Sequence, residues 1–313
     1  MTEQDFDFLR ILLQIRSGLH LSHEKRYLVE SRLGMLCRRR GIEGIGALVA
    51  ILRREPGREL ETAVVEAMTT NETLFFRDRT PFDLFRDVIL PEKLAGNART
   101  RHLRIWCAAV SSGQEAYSLA MVFFEAITAA KRNLKLQVFA SDVDADAVAT
   151  AREGLYPATI EADVSAERLA RFFIKEEHGW RVTPDLRGVV VFTVQDVLTD
   201  PPFSRLDLVS CRNLLIYLGS EAQEKVLALF HFALREGGLL LLGNSETAGD
   251  VDGRFEALSK PGRLFRRIGP GRAGDFGPVS GGDGLATAFR RHPGRLPKRQ
   301  STLAELCRRL VIE

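Results

Sequence analysis

The spacing of apolar residues changes along the chain. Up to about residue 90 they recur every three or four positions, as in Phe6, Leu9 and Leu13, which is typical of amphipathic helices. From about residue 101, short apolar runs such as 103–107 alternate with helical segments. That alternation is typical of a mostly parallel sheet with helices on both faces. The pattern predicts an all-helical N-terminal domain over residues 1–90, followed by a doubly wound α/β domain over 91–268.

The α/β domain contains further elements of the same kind and one interruption. At residues 170–188, two short apolar flanks surround a turn-like centre at 177–179 and predict a small inserted β-subdomain. The flanks are too short to fold alone, so the subdomain has to pack on the rest of the domain. The predicted strands are 103–107, 136–140, 189–194, 206–210 and 239–242, and the predicted helices are 116–131, 145–153 and 220–234.

The C-terminal part of the chain has a different composition. Residues 269–300 are rich in Gly, Pro and Arg, which predicts a flexible linker. In 301–313, Leu303, Leu306 and Leu310 fall on one helical face and predict an amphipathic helix. This tail helix would dock a further partner or begin another domain.

Composition restricts the class of protein. The 313 residues are 45% hydrophobic and 27% charged, as in an ordinary soluble protein. No apolar run reaches the ~18 residues of a transmembrane helix, and the acidic N-terminus lacks a secretory signal. The four cysteines are far apart and form no zinc-binding pattern. We therefore expect a cytoplasmic protein that is not membrane-inserted and has no metal site.

The distribution of charge suggests an acidic partner. The net charge is only +3, which argues against a nucleic-acid-binding protein. Basic residues nevertheless cluster in one predicted helix, where a solvated helix face is an equally good explanation. The cluster consists of Lys25, Arg26, Arg32, Arg38, Arg39 and Arg40.

The first candidate for chemistry is the loop after the first predicted strand. Residues 108–113 are small, end in Gly113 and precede a helix, which is the layout of a nucleotide-type cofactor loop. The loop is not a GxGxxG, which counts against a dinucleotide. A tight strand–helix connection without a ligand explains the loop equally well.

Polar residues also follow the next strands. Asp142 comes just after the second strand, where an acidic residue can accept both hydroxyls of a ribose. A helix N-cap at Asp142 or Asp144 is the alternative. Asp196 and Val197 follow the 189–194 strand, where a polar side chain and a backbone amide could meet an adenine.

Two more polar segments complete the candidates. Arg212, Asn213 and Tyr217 follow a buried strand, at the edge where open α/β sheets bind ligands. In the helical part, residues 69–78 contain two adjacent phenylalanines between Asn71 and Arg77. A capped helix start with both phenylalanines in the core explains that pair, but not the Asn and the Arg.

These segments, in this order, resemble motifs of the chemoreceptor glutamate methyltransferases, the CheR family. The resemblance covers about residues 5–268, and several ordered motifs are far more specific than any one. The motifs are Asn-Glu-Thr-x-Phe-Phe-Arg, Trp-Cys-Ala-Ala…Ser-Gly-Gln-Glu-Ala-Tyr-Ser, Ala-Ser-Asp-Val-Asp, Cys-Arg-Asn-Leu-Leu-Ile-Tyr and Gly-Asn-Ser-Glu-Thr.

The resemblance implies an S-adenosylmethionine-dependent methyltransferase fold preceded by a helical domain, the same parts that the hydrophobic pattern predicts. It implies that Glu115 or Asp142 takes the cofactor ribose. It also implies that Arg77 and Tyr217 lie near the transferring methyl group, as catalytic residues. The cofactor-binding residues that it implies are Asn71, Thr73, Arg77, Glu115, Asp142, Asp196, Val197, Arg212 and Asn213.

The implied reaction is methylation of glutamate side chains on the cytoplasmic domain of chemoreceptors or similar signalling proteins. Some relatives use the β-insert to bind a tethering peptide of the receptor, and the short insert of this chain argues against that interaction. Two other functions remain open: a methyltransferase with a different protein acceptor, and a non-catalytic signalling module that binds S-adenosylmethionine or its demethylated product.

Overall fold

A computed structural model of the chain describes residues 1–19, 21, 23–54, 58–68, 73–91, 102–248 and 253–269. The predictions for Asn71, for the linker after residue 269 and for the tail helix at 301–313 lie outside these residues. Among the described helices, none combines the length and the apolar character that crossing a bilayer requires.

The described N-terminal residues form a bundle of four helices, as the apolar spacing predicts. Helix α1 begins at a capping box in which Thr2 and Asp5 exchange hydrogen bonds, and it ends at Gly18 in the left-handed region. A short 3₁₀ turn at His23–Lys25 precedes α2, which Gly41 caps in the left-handed region. The helices are α1 (Glu3–Ser17), α2 (Arg26–Arg40), α3 (Ile45–Arg54) and α4 (Arg58–Met68).

The bundle has its own apolar core. Phe6, Leu9 and Leu13 of α1 are fully buried against residues of the other three helices, including Leu33 and Leu48. The stripe with helical spacing is therefore the buried face of α1, and burial of this face rather than intrinsic propensity stabilises the helix.

The segment after the bundle is not the helix start that its capping pattern suggests. Phe76 and Asp78 have φ values of 52° and 55°, so the backbone is not helical there. Helix α5 (Thr80–Leu84) begins later and continues as a π-helical turn to Ile89. Phe75 and Phe76 are buried as expected, in the core of the sheet rather than in that of the bundle. The division of the chain at about residue 90 stays a prediction.

The rest of the described chain alternates strands and helices. All five predicted strands and all three predicted helices are present, with ends that differ by a few residues. In chain order the elements are β1 (His102–Ala108), α6 (Gln114–Ala129), β2 (Lys135–Asp142), α7 (Ala145–Glu153), β3 (Leu155–Tyr156), α8 (Ala166–Phe172), β4 (Phe173–Glu176), β5 (Gly179–Val182), α9 (Pro184–Gly188), β6 (Val190–Val194), β7 (Leu206–Cys211), α10 (Ser220–Ala233), β8 (Leu234–Leu242), β9 (Phe255–Ser259) and β10 (Leu264–Arg267).

Within the described residues, the main sheet has seven strands in the order β6-β2-β1-β7-β8-β10-β9. Strands β6, β2, β1, β7 and β8 are parallel to one another. Strands β10 and β9 form an antiparallel hairpin that pairs with β8 through β10. The prediction of a mostly parallel, doubly wound sheet is confirmed. The hairpin was not predicted, because its strands lie beyond the alternating pattern.

Successive residues of a central strand belong to the two cores on opposite faces of the sheet. Ile105 and Cys107 pack on the face covered by α6 and α7, whereas Trp106 and Ala108 pack on the face covered by α10. Both faces are apolar, which is why these strands appear as continuous apolar runs in the sequence.

The predicted β-insert is a three-stranded antiparallel sheet in the order β3-β5-β4. Strands β4 and β5 form the expected hairpin around residues 177–178, and the two-residue strand β3 was not predicted. Phe173 of this insert packs edge-on against Phe75 at 5.5 Å between ring centroids, which joins the insert to the segment after the bundle.

Candidate functional site

The polar residues singled out by the sequence follow adjacent strands of the sheet. In spatial order, Asp196 follows β6, Asp142 ends β2, the 109–113 loop follows β1, and Arg212 follows β7. Parallel strands place all their carboxyl ends at one edge, where open α/β sheets bind ligands. The candidates therefore form a row along that edge, although they are scattered over the chain.

A cavity of about 210 Å³ lies at this edge. Its walls come from the sheet edge and from the helical bundle, to which Arg16, Val65 and Met68 belong. With the exception of Asn71, which lies outside the described residues, every predicted site residue lines the cavity. These residues are Thr73, Arg77, Glu115, Asp142, Asp196, Val197, Arg212, Asn213 and Tyr217.

The first loop has an unusual backbone conformation. Ala109 and Ser111 have φ values of 58° and 51°, which are uncommon for residues other than Gly. Gly113 has φ 92°, and a Cβ there would lie 2.8 Å from the Cβ of Ala151. Gly113 therefore allows α6 to pack closely on α7, a role that the sequence alone did not separate from contact with a ligand.

Asp142 holds this loop in place. Its carboxylate accepts from the backbone N–H of Ser111 at 2.6 Å and from that of Asp144 at 2.9 Å. The helix N-cap is Asp144, which accepts from the amides of Asp146 and Ala147. Burial raises the pKa of Asp142, and the backbone donors oppose this rise. A carboxylate has roughly four lone-pair positions, so Asp142 retains acceptor capacity for a ligand.

Glu115 is the second buried carboxylate in the cavity. Its Oε1 accepts from Ser210 Oγ at 2.7 Å, and its Oε2 lies 3.6 Å from Nη1 of Arg212. Burial raises the pKa of Glu115, while the positive charges of Arg212 and, more weakly, Arg77 lower it. Glu115 thus contacts the guanidinium group of Arg212, on the β7 side of the row.

Arg212 connects the sheet edge to the segment after the bundle. Its side chain is 1% exposed, and Nη2 donates to the main-chain oxygen of Arg77 at 2.7 Å and to Asp78 Oδ2 at 3.0 Å. The ring centroid of Phe82 lies 5.4 Å from its guanidinium carbon. Nε is buried and has no hydrogen-bond partner in the described part of the chain. Both hydrogen bonds of Nη2 therefore hold protein groups in place.

Asp196 uses its polar groups within its own loop. The carboxylate accepts from the Leu198 amide at 2.9 Å and from Thr199 Oγ1 at 3.0 Å, and its own amide donates to Asp200 Oδ2. The backbone amide expected to meet an adenine is therefore that of Val197.

Tyr217 lies where the bundle meets the sheet. It ends the 3₁₀ turn Leu215–Tyr217, and its half-buried side chain packs against the bundle core. Leu19 and Leu218 form a β-bridge, and the Gly219 amide donates to the oxygen of Gly18 at 3.2 Å. The connection between α1 and α2 is thereby attached to the loop that carries Tyr217.

Arg16 also lines the cavity, and sequence reasoning did not assign it a role. Its Nη2 lies 2.5 Å from Oε2 of Glu61, a buried carboxylate on α4. The signal was present in the sequence: Arg16 continues the apolar stripe of Phe6, Leu9 and Leu13, where a charged side chain is unexpected.

The hydrogen-bonding groups and the apolar residues that line the cavity fit S-adenosylmethionine. Asp142 and Glu115 offer acceptors for hydroxyl and ammonium groups, and the orphaned Nε of Arg212 offers a buried donor in the same wall. Val143, Val197 and Leu198 supply apolar surface beside them, as a purine requires.

Two models of known protein families match consecutive parts of the chain. Residues 4–69 match the all-alpha domain of CheR methyltransferases. Residues 71–263 match the S-adenosylmethionine-binding domain of CheR methyltransferases. The two matches together cover most of the chain.

Several curated proteins similar to the chain have chemotaxis functions in their names. Chemotaxis protein methyltransferase 1 of Pseudomonas aeruginosa is 37% identical over 268 residues, which are 84% of this chain and 97% of the relative. Chemotaxis protein methyltransferase Cher2 of Pseudomonas putida is 35% identical with the same coverage. Chemotaxis protein methyltransferase of Salmonella typhimurium is 33% identical over 80% of this chain and 87% of the relative.

Proposed function

The chain belongs to the family of CheR methyltransferases, and from this premise we propose that it methylates glutamate side chains on chemoreceptors or similar signalling proteins. S-adenosylmethionine-dependent methylation in chemotaxis follows from the family and its relatives. The glutamate acceptor and its place on the cytoplasmic domain of a receptor are our proposal, as is a cytoplasmic location for the enzyme.

The main support for a carboxylate as the methyl acceptor comes from the titratable groups that line the cavity. The described lining residues include the guanidinium groups of Arg16 and Arg77 but no His, Lys or Cys. Asp196 accepts hydrogen bonds within its own loop, and we assign the remaining acceptor positions of Glu115 and Asp142 to the cofactor. An amine or hydroxyl acceptor has to lose a proton, whereas a glutamate with a pKa near about 4.3 is ionised at pH 7. These walls suit an acceptor that needs no general base.

The row of residues along the sheet edge suggests how the cofactor lies. We assign its adenine to Val197 beside Asp196, its ribose to Asp142, and its methionine part to Glu115 and Asn213. The order follows the strand order β6-β2-β1-β7, and at the β7 side of this row Glu115 Oε2 lies 3.6 Å from Nη1 of Arg212. Thr73 and, by resemblance, Asn71 would close the site from the bundle side.

When bound, the cofactor would supply an electrophilic methyl group on its sulfonium sulfur: a carboxylate oxygen of the acceptor would form the new C–O bond in line as the C–S bond breaks, and S-adenosylhomocysteine would leave. Arg77 orients that carboxylate, and the Tyr217 hydroxyl contacts the region of the transferring methyl. The bundle and the sheet edge enclose the cavity together, so the main contributions of the protein are alignment and exclusion of water.

The exposed face of α2 is our candidate for the receptor-binding surface. Arg38, Arg39 and Arg40 at its end are exposed. Arg40 pairs with Glu59 at 3.1 Å, whereas Arg38 and Arg39 have no ion-pair partner in the described part of the chain. Two uncompensated positive charges on a rigid helix suit an acidic receptor helix.

The experiment is methyl transfer from labelled S-adenosylmethionine to a cytoplasmic receptor fragment, with a matched fragment whose methylatable glutamates are alanines. We expect base-labile label on the first fragment and none on the second. Base-stable label would contradict an ester and indicate another acceptor group. No label, together with tight cofactor binding by calorimetry, would favour a sensing module over a methyltransferase.

A further inference from the structure

A buried carboxylate lies directly behind the loop that carries Asn213 and Tyr217. Glu246 follows β8 and is 3% exposed. It accepts from three backbone amides: Gly243 at 2.7 Å and Asn213 at 3.0 Å on Oε2, and Ile216 at 3.3 Å on Oε1. The last two donors belong to the loop after the neighbouring strand β7.

The two amides of that loop lie on either side of its bend. Asn213 has φ 62°, a left-handed conformation that is uncommon for a residue with a side chain. Ile216 lies within the 3₁₀ turn that ends at Tyr217. One carboxylate therefore fixes both the strained start of the loop and its final turn.

Glu246 does not itself line the cavity, whereas Asn213 and Tyr217 do. Any effect on the cofactor or the acceptor must pass through the loop. We propose that Glu246 is a positioning residue, which fixes the Arg212–Tyr217 loop in the conformation that presents Asn213 to the cofactor and Tyr217 to the acceptor. The cofactor part rests on the family, and the acceptor part rests on the proposed function.

Gly243 provides an independent way to disturb this contact. A Cβ at Gly243 would lie 2.7 Å from Oε2 of Glu246 and 2.9 Å from the Asn213 amide nitrogen. Gly243→Ala would therefore place a methyl group between the carboxylate and the loop while keeping the negative charge. Glu246→Gln keeps the shape but replaces one acceptor oxygen with an amide group that cannot accept.

The same strand β7 offers a matched control at its opposite end. Asp207 is a buried carboxylate that accepts from the Arg104 amide at 2.8 Å and pairs with Arg235 at 2.5 Å. It is remote from the cavity edge because it lies at the start of the strand. Asp207→Asn removes a buried carboxylate acceptor of the same kind without touching the loop.

The experiment measures three quantities for Glu246→Gln, Gly243→Ala and Asp207→Asn in the full chain. They are the Tm without cofactor, the Kd for S-adenosylhomocysteine by calorimetry, and the single-turnover rate of methyl transfer with saturating receptor fragment. We expect all three variants to have a lower Tm than the wild type, because each disturbs a buried hydrogen-bonded carboxylate. Glu246→Gln and Gly243→Ala should also raise Kd and lower the rate, each about tenfold, because a misplaced loop loses contacts with both ligands.

Asp207→Asn should leave Kd and rate within about twofold of the wild type. If the Kd values of Glu246→Gln and Gly243→Ala stay within about twofold of this control, the proposal is overturned. Glu246 would then contribute only to the stability of the fold. The Kd needs no acceptor, so this outcome is separate from failure of the proposed function, in which the wild type itself does not methylate the receptor fragment.

Discussion

Nη2 of Arg212 donates to the main-chain oxygen of Arg77 at 2.7 Å. The two residues are far apart in the chain, one after a strand of the sheet and the other after the helical bundle. Because Arg212 also approaches Glu115, one buried guanidinium joins the carboxylate in the cavity to the segment on its opposite side. The cofactor site and its closure therefore depend on the same side chain.

Replacement of this guanidinium should damage both stability and binding. Arg212→Lys keeps the charge, but a single ammonium cannot reach Arg77, Asp78 and Glu115 together. We expect a loss of about 3 kcal/mol in the free energy of unfolding and at least about a tenfold rise in the Kd for S-adenosylhomocysteine. Denaturant unfolding and calorimetry measure the two effects. A fully stable variant with unchanged affinity would show that the connection is not used.

Cofactor affinity should fall as the pH is lowered. Burial raises the pKa of both Asp142 and Glu115, and only the ionised carboxylates accept fully from hydroxyl and ammonium groups. Protonation therefore begins at a higher pH than for ordinary carboxylates and weakens binding. Calorimetry with S-adenosylhomocysteine between about pH 5 and 8 should show this loss. Asp142→Asn should reduce the pH dependence, and stronger binding at acid pH would contradict the assignment.

The Arg16 guanidinium should act on the acceptor and not on the cofactor. It lies in the cavity wall on the bundle side, where it pairs with Glu61. We expect Arg16→Gln to raise the KM for the receptor fragment about fivefold to tenfold and to leave the Kd of the cofactor unchanged. Arg10→Gln is the matched control, because Arg10 lies on the same helix and pairs with Asp7 but does not line the cavity. Equal effects of the two variants would remove Arg16 from the site.

Substitutions of Arg77 and Tyr217 should affect different kinetic constants. If Arg77 orients the acceptor carboxylate, Arg77→Ala should raise KM and lower the single-turnover rate about tenfold or more, with cofactor affinity retained. Tyr217→Phe should lower the rate with little change in either affinity. Loss of cofactor binding in Arg77→Ala would instead assign Arg77 to the cofactor.

Charge reversal on the exposed face of α2 should weaken receptor binding in a salt-dependent way. Arg39→Glu should raise the KM for the receptor fragment several-fold at low ionic strength, and the effect should shrink as salt is added. Lys135→Glu is the control. Lys135 is an exposed charge at the start of β2, whereas the cavity lies where the parallel strands end. If both variants methylate the fragment as the wild type does at low salt, the basic cluster is only a solvated face.

The sequence by itself determined the elements and the class of fold. Apolar runs such as the strand through Ile105 and Cys107 must be buried on both sides, so a parallel sheet with two helical layers follows from their composition. The ordered motifs indicated the family and a set of cavity residues. The short strand β3 and the hairpin β9–β10 were not predicted, because pairing partners stabilise them more than their own patterns do.

Only the tertiary structure decided what each polar residue does. Strand order does not follow chain order, yet it places Asp196, Asp142 and Arg212 in one row. Asp144 rather than Asp142 caps α7, and Nη2 of Arg212 donates to Arg77 and Asp78. Glu246 has its role only through partners distant in sequence. Hydrophobic periodicity is a local property, whereas hydrogen bonds and ion pairs depend on which groups folding brings within about 3 Å.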